Sequence, residues 1–211
     1  VRELTRVVDV AVSNNTVCAA RENGTVWCFG AAGSGQHGNG ATGDSAVPRQ
    51  VASVQNAIDV EGARSGDSFC AVRADGTVAC WGANSSGQIG DNTTTQRNTP
   101  VAVSGLSNVA HLAIGDSHAC AALTSGAVSC WGSNGSSRLG DGTTTQRNTP
   151  VAVLASPGVP LAGVLDVATQ GSTSCALQAN GNLSCWGLGT SGQIGDGQSL
   201  SRTTPTRVLG F

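Results

Sequence analysis

The chain contains no lysine, and its eleven basic residues, all arginine, are scattered without a patch while the net charge is only −2. Nucleic-acid binding rests on a concentrated positive surface, so nucleic acid is not expected as a partner. Long apolar runs are missing too, and none approaches the length of a membrane span. No charged and apolar leader stands at Val1, so any signal sequence is expected to have been removed or to lie outside the given sequence. No stretch carries a convincing helical period, which leaves strands and turns to build the fold. None of the eight cysteines is left over once they are taken in pairs.

Against this sparse background stands a repeat. Cys18 and Cys28, Cys70 and Cys80, Cys120 and Cys130, and Cys175 and Cys185 form four pairs with nine residues between the members of each. The first cysteines lie 52, 50 and 55 residues apart, which gives four copies of one unit in the size range of propellers and arrays. The expected organisation is a single repeat domain, 1–211, with repeats at approximately 1–52, 53–103, 104–153 and 154–211. Thr93 to Val103 and Thr143 to Val153 are the same eleven residues, a sign of recent duplication. Pro48, Pro100, Pro150 and Pro205 each follow the second cysteine by 20 residues, so all four copies share a phase. The five extra residues of the last spacing, around Ser156-Pro157-Gly158-Val159-Pro160, read as a loop insertion.

A turn signal sits inside each pair: Asn23-Gly24, Asp75-Gly76, Ser125-Gly126 and Asn180-Gly181. A two-residue turn would set Cys18 opposite Phe29. A three-residue loop with Gly24 in the left-handed position of a bulge sets Cys18 opposite Cys28, on a non-hydrogen-bonded pair where side chains approach closely. A disulfide framework is therefore the first reading and a shared four-thiolate zinc site the alternative, since a nine-residue spacing is not that of a zinc knuckle. Oxidised cysteines imply a secreted or cell-surface protein.

Each unit reads as strands. In the first copy these are Val7 to Val12, Val17 to Arg21, Thr25 to Phe29 and a fourth expected at Arg49 to Val54. Cys18, Ala20, Val26 and Cys28 share one face of the hairpin, and Val17, Ala19, Trp27 and Phe29 share the other. Two apolar faces suit a sheet held between neighbouring sheets.

Beyond the hairpin the units converge on Cys80-Trp81-Gly82, Asn84, Ser86-Gly87-Gln88-Ile89-Gly90-Asp91 and Arg97-Asn98-Thr99-Pro100. The same pieces recur at Cys130-Trp131-Gly132 with Leu139-Gly140-Asp141, at Cys185-Trp186-Gly187 with Ser191-Gly192-Gln193-Ile194-Gly195-Asp196, and at Cys28-Phe29-Gly30 with Ser34-Gly35-Gln36-His37-Gly38. This pattern resembles the regulator of chromosome condensation repeat family over essentially the whole chain, and the cysteine pairs resemble those of secreted bacterial members. The resemblance implies an all-β fold of β-propeller blades, each of four antiparallel strands and here each with a hairpin disulfide. The family's usual ring has seven blades and this chain holds four, so an arc, a closed ring or a multi-chain assembly is expected.

Candidate chemistry is thin. His37, His111 and His118 are not repeated in the other units, and a histidine two residues before the blade cysteine is common in the family, so a structural role is expected. No nucleophile elbow or triad signal accompanies Ser117 and His118. Asp91, Asp141 and Asp196 read as turn residues paired with Arg97, Arg147 and Arg202 rather than as calcium ligands, because each stands alone among threonines. No catalytic residue, cofactor site or metal site is expected, and the chain is read as a non-enzyme.

Trp27 replaces small residues (Ala79, Ser129, Ser184), and Phe69 stands where the others have Val17, Ala119 and Ser174. Each fills a larger gap in the core or meets a partner, so both are candidate interface residues, with Val1 and Phe211 at the ends. Asn14, Asn23, Asn84, Asn92, Asn134 and Asn182 begin Asn-x-Ser/Thr sequons and are candidate glycosylation sites. The function expected first is an extracellular scaffold that associates with itself into a ring or fibre, since an open arc leaves strand edges and apolar faces to cover. The alternative is a secreted binding module that uses the propeller rim for another extracellular protein, as a β-lactamase-inhibiting member of the family does. Nucleotide exchange on a small GTPase, the role of the family's founder, is not expected in a disulfide-bonded chain without a basic surface.

Overall fold

A computed structural model describes residues 3–210, so Val1 and Phe211 lie outside the described residues. Among those residues there is no helix, and four antiparallel sheets of four strands follow one another along the chain. The first sheet is β1 (Val7–Ser13), β2 (Thr16–Arg21), β3 (Val26–Gly30) and β4 (Ser45–Gln50). The second is β5 (Ala57–Gly62), β6 (Ser68–Arg73), β7 (Val78–Gly82) and β8 (Arg97–Ala102). The third is β9 (Val109–Ile114), β10 (His118–Leu123), β11 (Val128–Gly132) and β12 (Arg147–Ala152). After a small hairpin, β13 (Leu154–Ser156) and β14 (Val159–Pro160), comes the fourth: β15 (Val164–Gln170), β16 (Thr173–Gln178), β17 (Leu183–Gly187) and β18 (Arg202–Arg207). Each sheet is an up-and-down blade, and the first strands β1, β5, β9 and β15 adjoin one another from blade to blade, which puts them innermost.

The hairpin turn sets the blade. Arg21 donates its N–H to Thr25 O at 2.9 Å, Gly24 donates to Arg21 O at 2.7 Å, and Gly24 has φ 74°. That three-residue loop brings Cys18 opposite Cys28, and the other three hairpins repeat the register. All eight cysteines are joined as Cys18–Cys28, Cys70–Cys80, Cys120–Cys130 and Cys175–Cys185. No thiolate is left for the four-cysteine zinc alternative.

A second glycine ends the third strand of each blade. Gly132 has φ 103°, and a Cβ there would lie 2.5 Å from Ser117 O, so only glycine permits the close approach of the preceding loop.

Two expectations are corrected. The fourth strand of the first blade covers Ser45–Gln50 rather than Arg49 to Val54. Val51 and Val54 turn inward and are buried between blades one and two, while Pro48, which has no N–H to give a ladder, sits on the outer edge strand. The insertion at Ser156–Pro160 is not an irregular loop but the β13/β14 hairpin, turning at Pro157-Gly158 with Gly158 at φ 75°.

The core lies between blades. Three clusters fill the junctions, each made from the disulfide face of one blade and the opposite face of the next. The middle one joins Cys70, Val72, Val78 and Cys80 to Leu112, Ile114, Ala119 and Trp131. Among the described residues blades one and four share no extended packing of strand on strand, so the four blades stack as an arc.

Candidate functional site

The blade junction explains what the two ends of the arc are. Trp81 donates its indole N–H to Gln36 O of the preceding blade at 2.8 Å, Trp131 donates to Gln88 O at 2.8 Å, and Trp186 to Arg138 O at 2.9 Å. All three indoles are fully buried. Each sits in a glycine cup: a Cβ on Gly90 would meet Trp131 Nε1 at 2.8 Å, and one on Gly140 would meet Trp186 Nε1 at 2.7 Å. The loop behind the cup is braced by a buried asparagine. Asn84 Oδ1 accepts from Ile89 N at 3.0 Å, and its Nδ2 donates to Asp91 Oδ1 at 3.3 Å and Thr95 O at 3.0 Å. Asn134 repeats these bonds with Leu139, Asp141 and Thr145. The expected aspartate–arginine pairs are present, as Arg97–Asp91 (2.5 Å), Arg147–Asp141 (3.0 Å) and Arg202–Asp196 (2.5 Å). Those bonds and the neighbouring threonines hold Asp91 and Asp141 below the usual carboxylate pKa even though burial opposes it.

These contacts remove two sequons. Asn84 and Asn134 are buried with Nδ2 committed to the loop, so neither can carry a sugar without dismantling the brace. Asn23 and Asn92 are exposed; Asn14 is exposed but donates its Nδ2 to Asp67 at 2.9 Å, and Asn182 is half-buried in its turn.

Phe69 is corrected likewise. It is fully buried between blades one and two and stacked on Trp81 with ring centroids 6.2 Å apart, so it fills core and presents no surface. Trp27 is half-buried on the open face of blade one, where it lines a cleft of about 670 Å³ with Leu4, Arg21, Val47 and Pro48.

Both ends of the arc expose what the junctions bury. On blade one Val10 is 58 % exposed, whereas its counterpart Val60 is 2 % exposed under the neighbouring blade. On blade four Leu183 is 41 % exposed against 1 % for Val128 at the same register position. Phe29, the counterpart of the buried tryptophans, is half-exposed.

Two of the three histidines, His37 and His118, are packed in the interior. His118 is buried, and burial, reinforced by the Arg138 charge, lowers its pKa to about 3. Its Nε2 lies 2.9 Å from Ser174 Oγ, while that hydroxyl donates its own proton to Arg138 O at 2.8 Å. Nε2 therefore carries the proton and Ser174 has no base to activate it. His37 occupies the slot of Ile89, Leu139 and Ile194, and burial lowers its pKa as well.

One constellation went unseen in the sequence. Asp9, Asp59, His111 and Asp166 occupy one register position on the four innermost strands, opposite the residues two beyond the first cysteines. Their spacing from the cysteine is 9, 11, 9 and 9 residues, and the longer turn of the second repeat puts Asp59 out of phase. Asp9 accepts Val60 N at 2.7 Å, and His111 Nδ1 lies 3.8 Å from Asp166. Burial, followed by the hydrogen bond and charge of Asp9, raises Asp59 to about 6. Burial, with the charges of Asp59, Asp9 and Asp166, raises Glu61 to about 7.

Because both folded-state pKa values exceed those of the unfolded chain, the folded form holds protons that the unfolded form has released. Their contribution to stability is thus complete below pH about 4 and is lost as pH rises to about 7. The urea midpoint is expected to fall across that window, and Glu61→Gln to flatten the decline. A midpoint that rises over the same range would reverse this assignment.

Models of the regulator of chromosome condensation (RCC1) repeat match residues 23–73 and 75–122, and a second form of the repeat matches 7–36 and 109–138. The human E3 ubiquitin-protein ligase HERC2 is 30% identical over 118 residues, which are 54% of this chain and 2% of that protein. The crystal structure of human WBSCR16 superposes with a TM-score of 0.81 at 27% identity, covering 97% of this chain and 53% of that one. Prp20p of Saccharomyces cerevisiae, described with its binding to Gsp1p and histones, gives 0.81 at 20% identity over 97% of this chain and 50% of its own. The chain spans about half the length of these solved structures. With matched repeats, in-phase motifs and superposable blades, this chain belongs to the regulator of chromosome condensation repeat family.

Proposed function

We propose that the chain is a non-enzymatic, extracellular protein-binding module that engages its partner through the open faces of the arc. The observation that carries this reading is the exposure at blades one and four of apolar positions that are buried at every internal junction, with Val10 and Leu183 as the clearest cases. Apolar surface rimmed by polar loops marks an interaction site. Four hairpin disulfides support an oxidising compartment. The yeast relative's protein partners are its own; the likeness to it supplies the fold, and the binding rests on these faces.

Self-association into a ring or fibre is the second reading, favoured by apolar faces at both ends. The test places a photo-crosslinking residue at Leu183 and, separately, at the exposed Thr94 on the loop rim, with the full chain returned to the medium of its source cells. A discrete adduct from position 183 is expected. An adduct of twice the chain mass would assign the face to self-association, and adducts from position 94 alone would move the site to the rim.

A further inference from the structure

We propose that the long loop of blade one, residues 31–44, is an acid-sensitive latch: when His37 takes up a proton its ring leaves its slot, and the loop loosens its hold on Trp81 of blade two. This device goes beyond the binding-module reading and stands independently of it.

His37 is a polar ring in an apolar slot. The same position in the other three blades holds Ile89, Leu139 and Ile194, all fully buried, and His37 is itself 1 % exposed. Neither ring nitrogen has a hydrogen-bond partner, and Gly30 O faces the ring without reaching hydrogen-bond geometry. A neutral imidazole carries one donor and one acceptor, whereas the imidazolium carries two donors and a charge. Protonation therefore adds to what the slot leaves unsatisfied. The charged groups that face the ring are Asp44 in its own loop and Arg49 on β4, of opposite sign. Blade two meets the loop through Trp81, Asn98 and Thr99, none of which carries a charge. Burial is the largest influence on the ring and lowers its pKa; Gly30 O and Asp44 oppose that shift, and Arg49 adds to it.

The loop around the slot lacks the supports of its counterparts. In blades two and three an asparagine Oδ1 accepts from Ile89 N or Leu139 N, and an aspartate–arginine pair clamps the loop. Blade four has Gly189 for the asparagine and keeps the Asp196–Arg202 clamp. Blade one has Ala32 for the asparagine, Asn39 for the aspartate and Ser45 for the arginine, so brace and clamp are both missing. In their stead Asp44 Oδ1 accepts from Ala32 N at 2.9 Å.

The slot also lies against the junction. On one side of His37, Gln36 O accepts the Trp81 indole N–H at 2.8 Å. On the other side Gly38 cups that indole, where a Cβ would meet Trp81 Nε1 at 3.0 Å, and Gly38 O accepts Ala52 N at 2.9 Å. Two residues on, Gly40 N donates to Asn98 O of blade two at 2.8 Å. Expulsion of the ring moves both neighbours that hold the indole.

Because the pKa in the closed loop lies below the ordinary 6.5, the closed form binds fewer protons than the open one. Closure is complete above that value and weakens as pH falls below it. The sign is opposite to that of Asp59 and Glu61, whose protonation favours the folded chain, so the two effects separate by place and by variant.

The test measures amide-exchange protection factors, corrected for the intrinsic rate, in the full disulfide-bonded chain at pH 7 and pH 5. Protection of Gly38, Gly40 and Ala52 is expected to fall by about tenfold between them. The matching amides of blade two, Gly90, Asn92 and Ser104, lie beside Ile89 and are expected to keep theirs. His37→Ile, which installs the residue found in blades two and four, is expected to abolish the fall. Unchanged protection in blade one overturns the proposal, as does an equal loss in both blades or a loss that survives His37→Ile. Should that variant misfold, His37→Leu, the residue of blade three, decides by the same readout.

Discussion

Reduction of all four disulfides is expected to unfold the chain at room temperature. Each bridge closes a hairpin with a sequence separation of 10 residues, for which the loop-entropy model assigns about 2–3 kcal/mol. Four such contributions come to about 10 kcal/mol, as large as the whole stability of an ordinary domain, about 5–15 kcal/mol. Nor is the loss confined to the unfolded state, since the cystines are packing surface: three of the four lie in the clusters between blades. Far-UV circular dichroism with and without reductant checks the result. An order is expected as well. Cys175–Cys185 lies on the open face of blade four, with Cys175 half-buried, whereas both cysteines of every other pair are buried under the next blade. Limited reduction followed by alkylation and peptide mass analysis should therefore label Cys175 and Cys185 first. Earlier labelling of Cys120 and Cys130 would mean that the junction between blades three and four opens more readily than the free face.

Trp131→Ala is expected to lower the unfolding free energy by about 3–5 kcal/mol through the cavity it leaves. The indole is fully buried against Cys80, Ile89 and Val103 of the second blade, and its N–H is the partner of Gln88 O at 2.8 Å. Trp131→Phe separates the two contributions. It keeps most of the ring and orphans the carbonyl, at a cost of about 1–3 kcal/mol. In a stack of repeats each blade touches only its neighbours, so the damage should be local. Amide exchange should rise across β7, β10 and β11 and change little in the first blade. Uniform exposure of the whole chain would show that the four blades open as one unit.

What could be read before the fold was known was local in sequence. The Cys18/Cys28 register follows from one turn, because a three-residue loop with a left-handed glycine leaves a single pairing for the residues behind it. Asp91 and Arg97 are six residues apart around one loop, close enough for their pairing to be expected from the repeat alone. Where the reading failed, a neighbouring blade had intervened. Val51 and Val54 look like strand residues, and the second blade turns them into core. Asn84 and Asn134 look like glycan acceptors until the loop closes over them. Phe69 has the features of a partner contact, and the partner it finds is Trp81 on the adjoining strand of its own blade, covered by blade one.

The sequence by itself determined the hairpin, its disulfide, the phase of the repeats and the family, because each depends on turns and spacings within about fifty residues. Only the tertiary structure decided which apolar faces are core and which are ends, and that Asp9, Asp59, His111 and Asp166 share one level of the inner strands. The same repeat is written four times, and the spacing within one copy does not say whether another blade covers its face. Burial at a blade face belongs to the neighbour that covers it. That is why Leu183 and Val128, alike in their own strands, differ so far in exposure.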